Sequence, residues 1–447
     1  MPWNKPCSRK VCINVPKNIF KICFRAIDLC TAILFGLFLP FPLLITKYFI
    51  YTKKEFWGER NILFLSGGSS MEDCYRKFGN FEPLFNYDGP IKSFNRVILF
   101  WFLTRNNLTV ALRDDYIINE RKGIRFFPLT SQLLLLVELL FLVKRKNIKV
   151  IRAFDPYQKG LMGWAISKLT GIPFCISIHA DYDKCYRLDG RKGGTPLLFK
   201  MLERFVLPRA QLVMPISEYL GNLVRNHGVA SEKIRIFPHG VNVERFHHSP
   251  IINLTNEFLI PKDKKILCMV GRLSRQKYVY DAIEVARRLA QERDDFILVF
   301  VGDGEERKGL ELLVEKERLF PNVKIIGFQS NERVATILSQ SYLTFCLLAG
   351  FALIEACLAG VPAVCYDIEW HNELIKNGEN GFIVREEDLD ALTEKVTYLL
   401  DHPEEAKKMG ARACEIAITK HDVLRTSEIK NNGYRELLNY GVLTYKQ

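Results

Sequence analysis

The chain has 447 residues, of which 48% are hydrophobic and 25% are charged, a balance typical of a globular protein with two or three domains. Its twelve cysteines form no C-x-x-C pair and no metal-ligand spacing, which excludes a cysteine-based metal site and indicates reduced, mostly buried thiols in a cytosolic compartment. The formal net charge is +13, and the first 60 residues carry +7 of it, so a nucleic acid or an anionic membrane is the expected partner of the N-terminus.

An uncharged run of 17 residues, Leu29 to Ile45, lies inside this basic segment. As a helix it would be about 25 Å long, a little less than the ~30 Å of a hydrocarbon core. Pro40 and Pro42 should kink it, and Lys and Arg flank both sides. A helix that enters the membrane, breaks and returns to the same face fits these facts, whereas a secretory signal fits poorly. A buried core helix or an ordinary single span are the alternatives.

The stretch K-I-C-F-R-A-I-D-L-C-T-A-I-L-F-G-L-F-L-P-F-P-L-L-I resembles the re-entrant membrane helix of polyprenol-phosphate phosphoglycosyl transferases. The catalytic segments of those enzymes do not follow it, so the resemblance implies only the mode of membrane association. We therefore predict that residues 1–57 form a membrane-associating segment, with helix 29–45 either re-entrant or a single span.

Residues 58–250 are predicted to form a first domain that begins with the apolar strand Asn61–Leu65. Gly67 and Gly68 follow this strand and would let the backbone approach a phosphate, although a plain turn would also explain them. The segment Arg96–Leu103 is apolar on all sides, which is consistent either with burial or with a membrane-facing surface.

From Leu108 onward, short strands alternate with helices. The predicted strands are Leu108–Leu112, Ile124–Phe127, Val150–Ala153, Pro173–Ile178, Ala210–Ile216 and Lys233–Phe237, and the predicted helices are Gln132–Val143, Gly160–Leu169, Leu198–Leu207 and Glu218–His227. Regular β-α-β spacing predicts a doubly wound parallel sheet, which binds ligands at the carboxyl ends of its strands.

His179, Asp181 and Asp183 come directly after one of these strands and should therefore lie in the ligand crevice. An Asp-x-Asp triplet after a strand can hold a divalent metal under a nucleotide diphosphate, but a single triplet is a weak signal. We interpret the two aspartates as polar groups on the acceptor side, and we expect no metal site.

Residues 251–264 are predicted to be a linker, residues 265–420 a second Rossmann-like domain, and residues 421–447 a C-terminal helix. Predicted strands of the second domain are Lys265–Val270, Phe296–Val301 and Val323–Ile326, and predicted helices are Asp388–Leu400 and Glu404–Lys420. Candidate ligand-binding residues at the strand ends are Gly271, Gly302, Gly304 and Phe328.

The stretch T-F-C-L-L-A-G-F-A-L-I-E-A-C-L-A-G-V-P-A-V-C-Y, residues 344–366, is the most informative part of the chain. It predicts a strand end, a turn at Gly350, a helix from Phe351 to Ala359, a C′ glycine at Gly360 and another buried strand. Glu355 is the single charge in that apolar helix and needs a partner if it is buried. The helix N-terminus suits a phosphate, which the backbone of Gly350, Phe351 and Ala352 would cradle, and Glu355 can accept two hydroxyls. A plain helix start with a Lys–Glu355 pair is the alternative.

Together with V-G-R-L-S-R-Q-K (Val270–Lys277), P-H-G-V-N-V-E-R-F (Pro238–Phe246) and N-E-L-I-K-N-G-E-N-G-F-I-V (Asn372–Val384), this stretch resembles glycosyltransferase family 4. The resemblance covers roughly residues 60–440. It implies two Rossmann-like domains facing a cleft, the GT-B architecture, transfer with retention of configuration, and a C-terminal helix that crosses back to the first domain. The nucleotide-sugar is a co-substrate, and no further cofactor is implied.

The resemblance also implies roles for individual residues. His179 would face the transferred sugar and the acceptor, and Glu355 would accept the ribose hydroxyls. Arg272 and Lys277 would meet the charge of the leaving nucleotide diphosphate, because a planar fork and a mobile ammonium are suited to it.

Three positions depart from the family pattern. The family commonly has a second Glu at the position of Leu347, where it touches the donor sugar or its phosphate, and paired glycines at the positions of Glu369 and Trp370. Either the donor sugar is unusual, or the subfamily lost this contact, or the protein binds without turnover.

The sequence thus predicts a membrane-associated glycosyltransferase at the cytoplasmic face of a membrane, peripheral or monotopic. Its partners would be a nucleotide-sugar donor, a glycan or lipid-linked acceptor and membrane lipids. A catalytically silent nucleotide-sugar or glycan-binding scaffold is the alternative. A nucleic-acid partner is disfavoured because most of the excess charge flanks an apolar helix and no nucleic-acid module is visible.

Overall fold

The computed structural model describes residues 59–67, 72, 91–104, 107–122, 128–188, 194–247, 252–348 and 350–444. The predicted membrane segment 1–57, Gly68 and the predicted strand Ile124–Phe127 lie outside these residues. Within the described ranges, every helix is too short or too polar to cross a membrane.

In the part of the chain that the structure describes, the first sheet has seven strands in the order β3-β4-β2-β1-β5-β6-β7. Its strands are β1 (Asn61–Ser66), β2 (Arg96–Thr104), β3 (Leu108–Arg113), β4 (Tyr116–Lys122), β5 (Ile148–Ala153), β6 (Phe174–Ile178) and β7 (Leu212–Pro215). All neighbours pair in parallel except β3, which forms an antiparallel edge with β4.

Strand β2 settles the ambiguity of the apolar segment that precedes Leu108. It pairs with β1 on one side and β4 on the other. The side chains from Val97 to Phe102 are at most 6% exposed. The segment is therefore an inner strand covered on both faces, which is why its sequence shows no polar side.

Helices cover both faces of this sheet. They are α1 (Pro128–Arg145), α2 (Gln158–Thr170), α3 (Tyr182–Leu188), α4 (Gly194–Val206) and α5 (Glu218–Asn226). Two short helices, α6 (Glu244–His247) and α7 (Leu254–Phe258), occupy the connection to the second sheet.

The second sheet has six parallel strands in the order β10-β9-β8-β11-β12-β13. Its strands are β8 (Lys265–Val270), β9 (Phe296–Val301), β10 (Val323–Gly327), β11 (Leu343–Phe345), β12 (Ala363–Tyr366) and β13 (Gly381–Val384). Its helices are α8 (Val279–Leu289), α9 (Arg307–Lys316), α10 (Asn331–Ser339), α11 (Phe351–Leu358), α12 (His371–Leu374), α13 (Leu389–Asp401) and α14 (Pro403–His421). Buried cores lie on both faces of both sheets.

The last helix, α15 (Val423–Thr444), returns to the first sheet. Its Tyr434 is fully buried beside Phe94, with 5.6 Å between ring centroids, and its hydroxyl accepts a hydrogen bond of 2.8 Å from the Arg152 guanidinium in β5. Asn431 accepts hydrogen bonds from the backbone N–H groups of Lys92 and Ser93 at 2.8 and 3.1 Å. Helix α15 is thereby fixed to the N-terminal half of the chain.

One predicted strand is wrong. Residues Lys233–Phe237 form no strand and make a single bridge, from Ile234 to Val213 in β7. The N–H groups of Arg235 and Phe237 donate to the Val213 and Pro215 carbonyls at 3.1 and 2.8 Å. Pro215 has no N–H to return a bond on that side, so the ladder cannot continue. Strand β4, Tyr116–Lys122, was not predicted because polar residues occupy its second half.

Candidate active site

A cleft lies where the carboxyl ends of the two sheets face each other. The Tyr219 hydroxyl donates 2.8 Å to Asp181, which follows β6. The Gln276 amide, beyond β8, donates 3.3 Å to the Cys185 carbonyl of α3. Glu373 of the second domain accepts from the backbone N–H of Tyr219 at 2.8 Å. The last two contacts hold the two walls of the cleft together, and the first orders the wall of the first domain.

Two glycines after β9, Gly302 and Gly304, are required by close packing against the backbone of the loop after β8. A Cβ on Gly302, at φ +150°, would lie 1.8 Å from the carbonyl oxygen of Gly271. A Cβ on Gly304 would lie 2.2 Å from the Leu273 carbonyl oxygen. The two loops therefore pack backbone against backbone at the floor of the cleft, so these glycines are more than ordinary turn residues.

Lys277 lies at this floor, in a short 3₁₀ turn of residues Arg275–Lys277. Its ammonium donates 2.7 Å to the Leu348 carbonyl oxygen, in the loop before α11. Burial lowers the pKa of Lys277 below its usual 10.5, and the nearby Glu369 carboxylate partly offsets this. A buried ammonium held by a neutral carbonyl leaves positive charge available for an anion.

Arg272 lies at the mouth of the same small recess, which Lys277 and Leu347 also line. Its side chain is 72% exposed, and its Nε donates 3.0 Å to Glu305. The two predicted cations thus occupy different depths, with Lys277 inside and Arg272 at the surface.

Helix α11 begins at the cleft. Gly350 precedes it, and a Cβ built there would meet no atom of the described residues within 4 Å, so this end of the helix is open toward them. Phe351 and Ala352 are half-buried, and the Phe351 ring lies 4.2 Å from the ring of His239. The first N–H groups of the helix are therefore accessible to a ligand.

Glu355, one turn further along α11, is paired with Arg245 of α6. The two side chains are 12% and 16% exposed. Burial raises the pKa of the Glu355 carboxyl, and the Arg245 guanidinium partly offsets the rise. The expected partner was a lysine or a ribose, and the structure supplies an arginine from the P-H-G-V-N-V-E-R-F segment. The predicted contact with a ribose stays a prediction.

His179 lies in a stack of rings that crosses the cleft. Its ring is nearly parallel to Phe154 and to His239, with centroids 5.7 Å away in both cases. His239 continues the stack to Phe351 at the start of α11. Behind Phe154, the buried Arg152 guanidinium lies 4.4 Å from the ring centroid and donates 2.7 Å to Ser177. The stack therefore reaches from His179 in the first domain to Phe351 in the second.

Asp181 and Asp183 point to different partners. Asp181 is buried and accepts from Tyr219 and, at 3.0 Å, from the backbone N–H of Lys184. Asp183 pairs with Lys200 of α4 at 2.9 Å. The described residues contain no cluster of three His, Cys, Asp or Glu side chains able to hold a metal ion.

The remaining candidates lie around the cleft or beyond the described ranges. Gly67 follows β1, and a Cβ there would lie 3.0 Å from the side chain of Lys159. Phe328, after β10, is 40% exposed. Leu347 is fully buried in the core beside the Lys277 recess, so this wall of the recess is apolar.

Sequence reasoning did not single out three residues that the structure brings to the cleft. The first is Arg245, which neutralises Glu355. The second is His239, whose ring stacks between those of His179 and Phe351. The third is Glu369, whose carboxylate raises the pKa of Lys277. Arg245 and His239 lie within a segment noted only as a motif. Glu369 was visible as a departure from a glycine pattern.

Two family models match successive parts of the chain. Residues 97–245 match the model described as Glycosyltransferase Family 4, and residues 251–415 match the model described as Glycosyl transferases group 1. The Escherichia coli UDP-Gal:alpha-D-GlcNAc-diphosphoundecaprenol alpha-1,3-galactosyltransferase is 25% identical over 276 residues, which are 60% of this chain and 70% of the relative.

Solved structures share the arrangement of the two sheets. Sucrose-phosphate synthase from Thermosynechococcus elongatus aligns with a TM-score of 0.70 at 18% identity, over 85% of this chain and all of that one. HepE from Anabaena, in complex with UDP and glucose, aligns with a TM-score of 0.65 at 18% identity, over 85% of this chain and 99% of that one. At this identity the likeness establishes the fold alone. The predicted architecture, two Rossmann-like domains facing a cleft, is confirmed.

Proposed function

The chain is a glycosyltransferase built from a family 4 domain and a group 1 domain, and we propose that it transfers a sugar from a UDP-sugar to a lipid-linked glycan, with retention of configuration, at the cytoplasmic face of a membrane. No cofactor or metal ion is part of the proposal. The observation that carries it is the convergence of Lys277, the open start of α11 and the His179 stack on one cleft.

The leaving group sets the electrostatic requirement. In the reaction, the bond between the anomeric carbon and a diphosphate oxygen breaks, and a bond from that carbon to an acceptor oxygen forms. The acceptor proton passes to the departing phosphate. Lys277 and the first N–H groups of α11 are placed to meet the negative charge that develops on the diphosphate.

The donor and the stereochemistry rest on similarity. The Anabaena neighbour binds UDP and glucose, and the Escherichia coli relative uses UDP-Gal, which supports a UDP-sugar donor for this chain. Glu355 can bind the ribose hydroxyls if its carboxylate accepts hydrogen bonds from them and from Arg245 at the same time. Retention of configuration is what the family resemblance implies.

The acceptor is proposed from the same relative and from a surface of the first domain. The Escherichia coli relative acts on a sugar linked to diphosphoundecaprenol. Helix α4 exposes Leu197, Leu198 and Met201 by 54–64%, next to Lys200, which pairs with Asp183 near the acceptor side. Apolar side chains beside lysine are typical of a helix that rests in a membrane interface.

The donor experiment uses the detergent-solubilised full chain and a panel of UDP-sugars, in the presence of EDTA. We expect transfer or hydrolysis from one of them, and a loss on the order of 10²–10³-fold in Lys277→Ala. Arg275→Ala is the matched control, because Arg275 is a neighbouring cation that is 76% exposed and paired with Glu306. Activity that requires a divalent ion, or an equal loss in the control, contradicts the proposal.

The acceptor experiment compares a lipid-linked glycan in vesicles with the same glycan freed from lipid. A preference for the vesicle substrate that is lost in the triple variant Leu197→Ser, Leu198→Ser and Met201→Ser supports the membrane proposal. Equal use of both substrates by the wild-type chain contradicts it.

A catalytically silent scaffold is the second candidate, and Leu347 is the observation in its favour. The buried leucine leaves the wall beside Lys277 without the carboxylate that the family commonly has there. Binding of UDP without turnover of any UDP-sugar would favour this function over transfer.

A further inference from the structure

Glu369 occupies a backbone conformation that suits glycine. It lies between β12 and α12 at φ +50°. An L-residue in the left-handed region is strained, whereas glycine is not. The backbone therefore gives no reason for a glutamate, and its side chain must account for its presence.

The Glu369 carboxylate faces charged groups from both domains. Burial raises its pKa, and so does the Asp181 carboxylate beyond β6. Lys277 from the second domain, Lys184 from α3 and the backbone N–H of Asp181 act in the opposite direction. The carboxylate thus lies between the buried cation of the floor and the polar end of β6 in the opposite wall.

One oxygen of this carboxylate is left for a ligand. The Oε1 atom of Glu369 is buried and has no hydrogen-bond partner among the described residues. The nearby ammonium groups are bonded elsewhere, Lys277 to the Leu348 carbonyl at 2.7 Å and Lys184 to Glu386 at 2.9 Å. A buried acceptor without a donor is costly, so a hydroxyl brought by a ligand would be favoured there.

The position of this oxygen indicates which ligand group it meets. Lys277 is the proposed phosphate contact, and Asp181 lies on the acceptor side, so the space between them is where the transferred sugar must sit. In the described part of the chain, Glu369 is the carboxylate whose charge raises the pKa of Lys277. The other residue beside the recess, Leu347, is buried and apolar.

We propose that the Glu369 carboxylate accepts a hydrogen bond from a hydroxyl of the transferred sugar and selects the donor by that hydroxyl. This inference rests on the proposed function, since it assigns the sugar-recognition part of the same site. The carboxylate that the family commonly has at the position of Leu347 is then supplied in this chain from the position of Glu369.

The test compares Glu369→Gln and Glu369→Gly with the wild-type chain. Glu387→Gly is the matched control, because Glu387 is an exposed glutamate that also has a positive φ, +64°. For each protein, the affinities for UDP and for UDP-sugars are measured by calorimetry, together with kcat/KM on the preferred donor and on deoxy analogues that lack single hydroxyls.

We expect both Glu369 variants to lose about 10–100-fold in kcat/KM on the preferred donor, the range for one charged hydrogen bond. Their UDP affinity should stay within about twofold of the wild type, because UDP carries no transferred sugar. One deoxy analogue should be a poor substrate that is insensitive to the substitutions. Glu369→Gly should be at least as stable to urea as the wild type.

Two results would overturn the inference. Equal losses of UDP and UDP-sugar affinity would place Glu369 on the nucleotide or on Lys277. Unchanged sugar selectivity, matching Glu387→Gly, would make it a structural residue. If the wild-type chain binds but does not turn over any donor, the proposed function fails by itself, and the ratio of UDP-sugar to UDP affinity in wild type and Glu369→Gln still decides the contact.

Discussion

The two walls of the cleft differ in chemistry. The second domain presents fixed charges, namely Lys277, Glu369 and the Glu355–Arg245 pair at its edge. The first domain presents stacked rings around His179, with the Arg152 guanidinium behind them. A diphosphate needs charges whose positions are set before it arrives, whereas a sugar or a lipid-linked glycan is suited to flat, partly apolar surfaces. This difference between the two walls agrees with the proposal that the second domain recognises the donor and the first domain recognises the acceptor.

The largest expected effect comes from breaking the charged pair. Arg245→Ala leaves the Glu355 carboxylate in a site that is 12% exposed, so we expect a loss of about 3–5 kcal/mol in the free energy of unfolding, measured with urea. Arg225→Ala, which removes an exposed partner of Glu218 at 3.6 Å, should cost less than ~1 kcal/mol. Similar losses in both variants would mean that burial does not make the Arg245–Glu355 pair more important for stability than an exposed pair.

The same variant has a predicted pH dependence. Burial raises the pKa of Glu355 above 4.5, and Arg245 opposes that rise, so the folded variant should hold the proton to a higher pH than the wild type does. Because the unfolded chain ionises near 4.5, the stability of Arg245→Ala should fall as the pH rises above that value. A loss that is constant between pH 4 and 7 would contradict this account.

The second prediction tests the aromatic wall. Arg152→Leu removes the donor that satisfies Ser177 and Tyr434, so we expect a loss of about 1–3 kcal/mol and earlier proteolysis of α15. Tyr434→Phe, which removes one of these bonds, should cost about 1 kcal/mol. A loss of donor affinity equal to that of Lys277→Ala would show that the two walls are not separate in function.

The third prediction concerns the charge state of Lys277. Burial lowers its pKa, so the amine should lose its proton, and its attraction for a diphosphate, at a pH below 10.5. The kcat/KM profile should therefore decline on the alkaline side with a midpoint below that value, since kcat/KM reports the free enzyme. Lys277→Arg should lower activity but remove this decline. An identical alkaline decline in the arginine variant would assign it to another group.

The smallest effect is expected for Tyr219→Phe. The hydroxyl donates 2.8 Å to Asp181, and its loss should cost about 0.5–1.5 kcal/mol in unfolding free energy. Tyr219 is not one of the residues proposed to bind the donor, so the affinity for UDP should not change. A weaker UDP affinity in this variant would mean that the polar contacts of the first wall set the width of the donor site.

The elements of the fold were largely predictable, and the failures have local causes. Strands of the second sheet are apolar runs bounded by glycine or charge, and β8 and β9 were predicted at their observed limits. Gly360, predicted as a C′ cap, has φ +71°. Lys233–Phe237 has the alternation of a strand, but Pro215 in its neighbour ends the ladder. The sequence pattern of one segment carries no information about which backbone N–H groups its neighbouring strand can offer for hydrogen bonds.

The candidate site was predictable only in part. The sequence indicated Lys277, Gly350 and Glu355, because a cation after a strand, a glycine before an apolar helix and a lone acid are local signals. It did not indicate that Arg245 neutralises Glu355 from 110 residues away, or that His239 stacks on His179.

The sequence by itself determined most of the strands and helices, because periodicity and turn residues act over a few positions, and its motifs indicated the two-domain architecture and the residue types of the donor site. Only the tertiary structure decided which side chains meet across the cleft. Burial and pairing depend on atoms that the chain brings together from distant positions, as Glu369 shows beside Lys277 and Asp181.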